Sequence, residues 1–255
     1  MNEYPYLSVI IPAYKEKDRI GRTLLEIEEY LSKKDYAYEI LVVVDGSPDN
    51  TAEIARNYGS QVHNLRIIEN KENNGKGYVV KQGLLEAKGK FRLFMDADGS
   101  TSIQHLDVFF PEIEKEENDI IIGSRDIEGS FVQVHQPRHR EILGDLGNYL
   151  IRITLGLWSF PDTQCGFKFL TAEASQEIAK RMKVSRFGFD FELLALARKL
   201  NFRIKQLPVR WLNEEGSTVS LFGPNGFIQV LIDLLKTRWR FCTGQYSIKE
   251  FFQKK

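Results

Sequence analysis

In FRLFMDADGST, Asp96 and Asp98 flank Ala97 directly after an apolar run, with Ser100 two positions further on. Two carboxylates at the end of a buried strand suit a hard divalent cation whose remaining ligands are diphosphate oxygens and water. Gly99 frees the backbone beside Asp98. A solvated strand end is the plainer explanation of the same triplet, so the chemistry depends on where that strand delivers it.

Three further stretches carry groups of the right type. NNGKGYVV offers Lys76 between Gly75 and Gly77, a cation able to reach sugar or phosphate on a backbone that allows close approach. It is not a P-loop, because Tyr78 replaces the metal-binding hydroxyl, and it is not G-x-G-x-x-G, because Val80 takes the last glycine position. DTQCGFK (Asp162 to Lys168) combines an acid, an amide, a glycine and a cation, although a turn entering a strand, with Cys165 as a small buried hydrophobe, also accounts for it. Arg125 in GSR, and the cluster Arg138, His139 and Arg140, read either as solvated surface charge or as planar forks for phosphate.

These groups need a scaffold that brings them together. In the first half, LSVIIP, YEILVVV, LRIIE and FRLFM alternate with amphipathic stretches at 18–33, 50–58 and 75–87, the pattern of βαβ units around a parallel sheet. In DGSPDNT, Ser47 or Asp49 is expected to cap a helix whose first turn holds Pro48. Ligands of open α/β sheets collect outside the carboxyl ends of the strands, so 12–16, 45–49 and 96–100 should share one rim. Further on, the sequence predicts a strand in NDIIIGSR, a helix over 137–158, a strand in CGFKFL, helices near 172–182 and 189–200, a strand in FRIKQLPV, a polar loop NEEGSTVS and an amphipathic helix from Asn225 to about Trp239. That last helix suits either core packing or a membrane interface, and the apolar positions Leu143 to Leu157 pose the same choice.

Composition narrows the class. The 255 residues carry 35 Lys plus Arg against 35 Asp plus Glu, without the basic excess of a general nucleic-acid binder. Cys165 and Cys242 are far apart and lack C-x-x-C spacing, which argues against a disulfide scaffold, a zinc site or secretion. His63, His105 and His135 show no ligand spacing and receive no role. Met1 to Pro5 has no signal-peptide pattern and no window matches a membrane span, so the chain is expected to be cytoplasmic and to lie on a bilayer rather than cross it.

In this order, VIIPAYKE (Val9 to Glu16), EILVVVDGSPDNT (Glu39 to Thr51), NNGKGYVVKQG (Asn73 to Gly83), DADGST, GSR, DTQCGFK, FGFDFELL (Phe187 to Leu194) and EEGST (Glu214 to Thr218) resemble family 2 glycosyltransferases, and within them the dolichyl-phosphate β-glucosyltransferase group. The resemblance covers nearly the whole chain. It implies an α/β GT-A fold over 1–220, with a nucleotide-sugar half to about 125 and an acceptor half beyond it, followed by an amphipathic segment over 221–255 that suits a membrane surface.

By that resemblance, Pro12, Tyr14, Glu16 and Asp45 contact base and ribose, and Asp96 and Asp98 hold the metal and donor; Lys76, by its position, and Ala97 join the expected donor contacts, and Ser100 joins Asp96 and Asp98 in the expected ligand set for Mg2+ or Mn2+. Arg125, Arg140 and Lys168 would receive the acceptor phosphate, with Asp162 orienting Lys168 or the sugar. Ser100 stands where mannosyl-transferring relatives often place glutamine, which favours the glucosyl group. The implied reaction is inverting transfer of a hexose, most often glucose from UDP-glucose, to a polyprenyl phosphate at a membrane surface. A mannosyltransferase using GDP-mannose, a transferase with a soluble hydroxyl acceptor and a non-catalytic nucleotide-sugar binder are the alternatives. Oligomeric state is not legible.

Overall fold

The computed structural model describes residues 4–133, 138–212 and 224–253, with the side chains of 138–143, 224, 225 and 227 outside that description. β1 (Leu7–Ala13) is buried along its whole length, because it runs parallel between β2 (Tyr38–Asp45) and β4 (Phe91–Met95) with helices on both faces. Such a strand reads as a continuous apolar run. Its alternation still sorts the cores: Val9 and Ile11 join one cluster while Ile10 joins the other.

Among the described residues the main sheet has seven strands in the order β3-β2-β1-β4-β7-β5-β8, with β3 at Leu65–Asn70, β5 at Ile120–Ser124, β7 at Phe167–Thr171 and β8 at Ile204–Pro208. All pairings are parallel except those of β7, which runs antiparallel to both β4 and β5. A short parallel pair, β6 (Phe131–Val132) with β9 (Arg210–Trp211), lies outside this sheet. The reversal at β7 matters most for the site. Met95 pairs with Phe167 and the Asp96 N–H donates to the Gly166 carbonyl, so DTQCG enters the sheet where DAD leaves it.

The helices are α1 (Ile20–Leu31), α2 (Thr51–Asn57), α3 (Lys76–Glu86), α4 (Leu106–Glu114), α5 (Arg138–Leu155), α6 (Ala172–Arg181), α7 (Phe189–Lys199), α8 (Pro224–Cys242) and α9 (Ile248–Gln253). Two differ instructively from expectation. α2 starts at Thr51, so Pro48 lies in the preceding turn and Asp49, not Ser47, accepts the Thr51 N–H. α4 is absent from the sequence pattern because Pro111 stands inside it and reads as a breaker; burial of Leu106, Phe109, Phe110 and Ile113 overrides the lost backbone bond.

The segment expected to form an appendage contributes Leu234, Tyr246 and Phe251 to the larger core. Each such apolar side chain fully removed from water stabilises the fold by about 1.5–3 kcal/mol. Tyr246 also donates its hydroxyl to the buried Glu192 of α7 at 2.6 Å, which ties this segment to the centre of the molecule.

Candidate active site

The carboxyl ends of β1, β2 and β4 open into a cavity of about 310 Å3. Pro12, Tyr14 and Glu16 reach it from the end of β1, Asp45 from the end of β2, and Lys76 from the start of α3. Asp96, Ala97 and Asp98 complete one wall after β4. All eight positions expected for the donor therefore converge on one rim. The DAD turn is held from behind by Thr23 of α1, whose hydroxyl donates to the Ala97 carbonyl at 2.7 Å.

Asp45 is nearly inaccessible, and its two carboxylate oxygens accept the backbone N–H groups of Asn74 and Gly75, each at 2.8 Å. Its first task is thus to shape the turn that delivers Lys76. Gly75 holds φ at 99°, and a Cβ there would sit 2.4 Å from the Ser185 carbonyl, so that turn closes only with glycine.

At the DAD turn the charges are unbalanced. Lys76 Nζ lies 2.7 Å from Asp96 Oδ1, while burial and the neighbouring Asp96 push the Asp98 carboxyl upward. Asp98 Oδ1 accepts the Ser100 N–H at 2.9 Å. Ser100 is buried behind Asp98 and is not among the cavity-lining residues, so the structure places it as a support for Asp98.

The donor set fits a hard divalent cation. Asp96 Oδ1 is a buried oxygen that meets Lys76 Nζ at 2.7 Å without an aligned hydrogen bond, and Asp98 is a carboxylate whose ionised form burial disfavours. Among the described residues no third carboxylate, histidine or cysteine joins them, so the remaining ligands would be substrate oxygens and water, a common arrangement for Mg2+. Gly166 explains the glycine of DTQCG: a Cβ on it would lie 2.0 Å from Asp96 Oδ2.

The acceptor candidates separate. Arg125 grips Asp162 through Nε at 2.7 Å and Nη2 at 2.9 Å, and its guanidinium lies 5.6 Å from the centre of the Trp211 ring. Burial alone would push Asp162 up, but the Arg125 charge and hydrogen bonds outweigh it and hold the carboxyl low. Asp162 therefore holds Arg125; of its two expected partners, Lys168 or the sugar, Lys168 is instead paired with Asp190. Arg125 keeps Nη1 free of that grip, and Trp211 bridges to Thr101, which places this cation beside the DADGST turn.

Lys168 is 1% exposed, donates to the Cys165 carbonyl at 2.6 Å and pairs with Asp190 of α7. It neutralises a buried acid and does not line the cavity. The side chain of Arg140, and the EEGST loop at 214–218, lie outside the described residues. Cys165 is fully buried, and burial raises its thiol to about 12, consistent with packing only. His105 is structural as well, its Nε2 accepting the Arg210 N–H at 2.9 Å.

Sequence reasoning missed Arg19, Asn73, Arg186 and Phe187, which also line the cavity, and gave Asp190 no role. Asn73, Phe187 and Asp190 lie in motifs that gave them no individual role, and Arg19 had a local signal in its position three residues after Glu16 at the start of a helix; its Nε meets Glu16 Oε2 at 2.7 Å.

Glu16 carries a testable consequence. Burial, opposed by Arg19 and reinforced by Asp98 and Asp96, raises its carboxyl to about 7. A folded-state value above the unfolded one means that its contribution to stability is whole at low pH and is lost as pH rises through about 7. Without ligand, the protein is expected to lose about 2–3 kcal/mol from this group between pH 5 and 8. Denaturant unfolding at both pH values should show a smaller difference in Glu16→Gln; an unchanged difference would refute the assignment.

Comparison with known proteins adds an independent line. The family model described as glycosyl transferase family 2 matches residues 8–179. A dolichyl-phosphate beta-glucosyltransferase of Dictyostelium discoideum is 36% identical over 257 residues, covering 96% of this chain and 77% of the relative. One of Homo sapiens is 33% identical over 265 residues, covering 96% and 78%. Among solved structures, glucosyl-3-phosphoglycerate synthase from Mycobacterium tuberculosis, in complex with Mn2+, uridine-diphosphate and glucosyl-3-phosphoglycerate, matches with a TM-score of 0.66 at 18% identity over 91% of this chain and 80% of that one. Mannosyl-3-phosphoglycerate synthase from Rubrobacter xylanophilus matches with a TM-score of 0.63 at 17% identity, covering 94% and 75%. At these identities the structural likeness speaks for the fold alone.

Proposed function

The chain belongs to glycosyl transferase family 2, with a GT-A-like fold, and from that membership we propose that it transfers glucose from UDP-glucose to a polyprenyl phosphate, giving a β-linked lipid phosphate sugar. The observation that carries this reading is the Asp96–Asp98 carboxylate pair on the cavity wall; Arg125 does not line that cavity but lies by the Trp211 ring, and Trp211 bridges to Thr101 of the same turn. The names of the relatives support glucose over mannose as the sugar and dolichyl phosphate as the acceptor class.

In the proposed reaction an acceptor phosphate oxygen attacks the anomeric carbon as the bond to the diphosphate breaks, and the electron pair leaves with UDP. A phosphate monoester with a second pKa of about 6 is already mostly dianionic near neutrality, so no proton has to be removed. The chain therefore needs cations more than a base. Bound at Asp96 and Asp98, Mg2+ or Mn2+ would neutralise charge growing on the departing diphosphate. Lys76 holds Asp96 in place and adds positive charge at the same wall. Arg125, oriented by Asp162, offers Nη1 to the acceptor phosphate; Arg140 is its proposed companion.

The test is transfer of label from UDP-glucose to organic-extractable lipid, with polyprenyl phosphate in detergent and Mg2+ or Mn2+. We expect transfer that EDTA abolishes and that is at least about tenfold faster than with GDP-mannose, roughly 1.4 kcal/mol of transition-state discrimination. Donor binding without lipid product from either nucleotide sugar would overturn the proposal.

Action on a lipid needs a seat on the bilayer. No described helix is long and apolar enough to cross a membrane. α5 nevertheless exposes Leu146, Tyr149 and Ile153, and α8, which packs against it, exposes Ile228, Ile232, Leu235 and Trp239. This apolar surface supports interfacial binding. Free Cys165 and Cys242 suit the reducing cytoplasmic side. Leu235→Ser with Trp239→Ser should weaken binding to neutral vesicles by about tenfold to a hundredfold, yet leave transfer in detergent within about twofold; unchanged vesicle binding would exclude this face.

A further inference from the structure

A second cavity, of about 240 Å3, lies between α8 and the segment 183–186. Four cations line it, Lys183, Arg186, Lys236 and Arg240, with Gln229 and a single acid, Asp233. Among the described residues Lys183, Arg186 and Lys236 form no ion pair, while Arg240 Nη1 lies 3.9 Å from the buried Glu192. Asp233 is largely buried, with Oδ1 accepting from Gln229 at 3.0 Å and burial pushing its carboxyl up. Among the described residues the recess thus sets four cations against Asp233 in its lining and Glu192 beside Arg240.

The arrangement of α8 indicates what that charge meets. At 100° per residue the helix divides into three stripes. Val230, Leu234, Thr237 and Phe241 face the core. Gln229, Asp233, Lys236 and Arg240 line the cavity. Ile228, Ile232, Leu235 and Trp239 stand exposed immediately beside the cavity stripe. An apolar ridge next to a basic recess matches the junction of acyl chains and an anionic headgroup, whereas a soluble anion would have no use for the ridge.

We infer that this recess binds the phosphate headgroup of an anionic phospholipid and so sets the orientation of the protein on the bilayer. The inference rests on the membrane-surface reading above. The recess is rigidly connected to the donor cavity: Glu192 accepts the N–H groups of Lys183 and Val184, the Ser185 carbonyl accepts from Tyr78 of α3, and Arg186 lines both cavities. A headgroup seated here would hold the donor site at a fixed height above the membrane.

Flotation of the full chain with phosphatidylcholine vesicles, with and without phosphatidylglycerol, tests this. The wild-type protein should bind the anionic vesicles about thirtyfold or more tightly than neutral ones, and Lys183→Ala with Lys236→Ala should remove about thirtyfold, at roughly tenfold or less per surface lysine. Binding to neutral vesicles and transfer in detergent should stay unchanged. Equal wild-type binding to both vesicles, undiminished anionic binding in the double variant, or an equal loss from the distant pair Lys71→Ala with Lys88→Ala would overturn it. So would displacement by inorganic phosphate at matched ionic strength, which would indicate a site for the free ion. Absence of transfer in detergent by the wild type would instead refute the glucosyltransferase reading and leave the vesicle result standing.

Discussion

Asp98→Asn is expected to lose glucosyl transfer by about a thousandfold or more while folding as well as the parent. The loss follows from charge: the substitution keeps shape but removes one of two anionic ligands at the point where the leaving diphosphate must be stabilised, commonly the dominant demand on such a site. The undiminished folding follows from the same geometry. Burial and the nearby Asp96 already disfavour the ionised Asp98, so without ligand the neutral amide relieves a repulsion. A folded-state carboxyl raised above its unfolded value costs stability once pH exceeds the unfolded value, so the variant should equal or exceed the parent in thermal stability at pH 8. Transfer retained at parental rates would show that Asp98 holds no catalytic cation, while a collapse in stability would show that its role is architectural. Asp96→Asn should behave differently, since Lys76 would lose its partner as well.

The second large effect concerns stability. Lys168→Met is expected to destabilise the protein by about 3–5 kcal/mol, because it leaves Asp190 as a buried charge without its counterion. Burial raises the Asp190 carboxyl even with Lys168 and Lys76 opposing it, and without Lys168 it should rise further. The deficit should therefore shrink as pH falls toward the unfolded carboxylate range, where the acid is neutral in both states. Lys168→Met with Asp190→Leu should recover much of the loss, since apolar replacement of a whole buried pair is often tolerated. Chemical denaturation across pH measures all three. A stable Lys168→Met that fails only in transfer would return Lys168 to the acceptor-phosphate role that its motif suggested.

The parts of the site that were legible in the sequence are those where chemistry and local backbone coincide. Asp96, Asp98 and Asp45 end strands whose apolar runs are unmistakable, and the rule that ligands gather at strand ends places them together. Lys76 follows from two glycines at the start of a helix. The roles of Asp162 and Lys168 were not legible, because the two ends of one seven-residue motif face different partners, Arg125 after β5 and Asp190 on α7, and nothing local says which acid meets which cation. Arg186 was hidden for a similar reason: it reaches the cavity only because Glu192 holds the chain at 183–184.

By itself the sequence determined the βαβ alternation, the carboxylate pair and the family to which these motifs belong, since each depends on spacing along the chain and on the hydrophobic period. Only the tertiary structure decided that β7 inserts antiparallel between β4 and β5, that Gly166 makes room for Asp96, that the buried cation is Lys168 and the accessible one Arg125, and which stripe of α8 meets the core. Those outcomes turn on contacts between residues remote in sequence, where burial and charge pairing act together, and no local pattern encodes their sum.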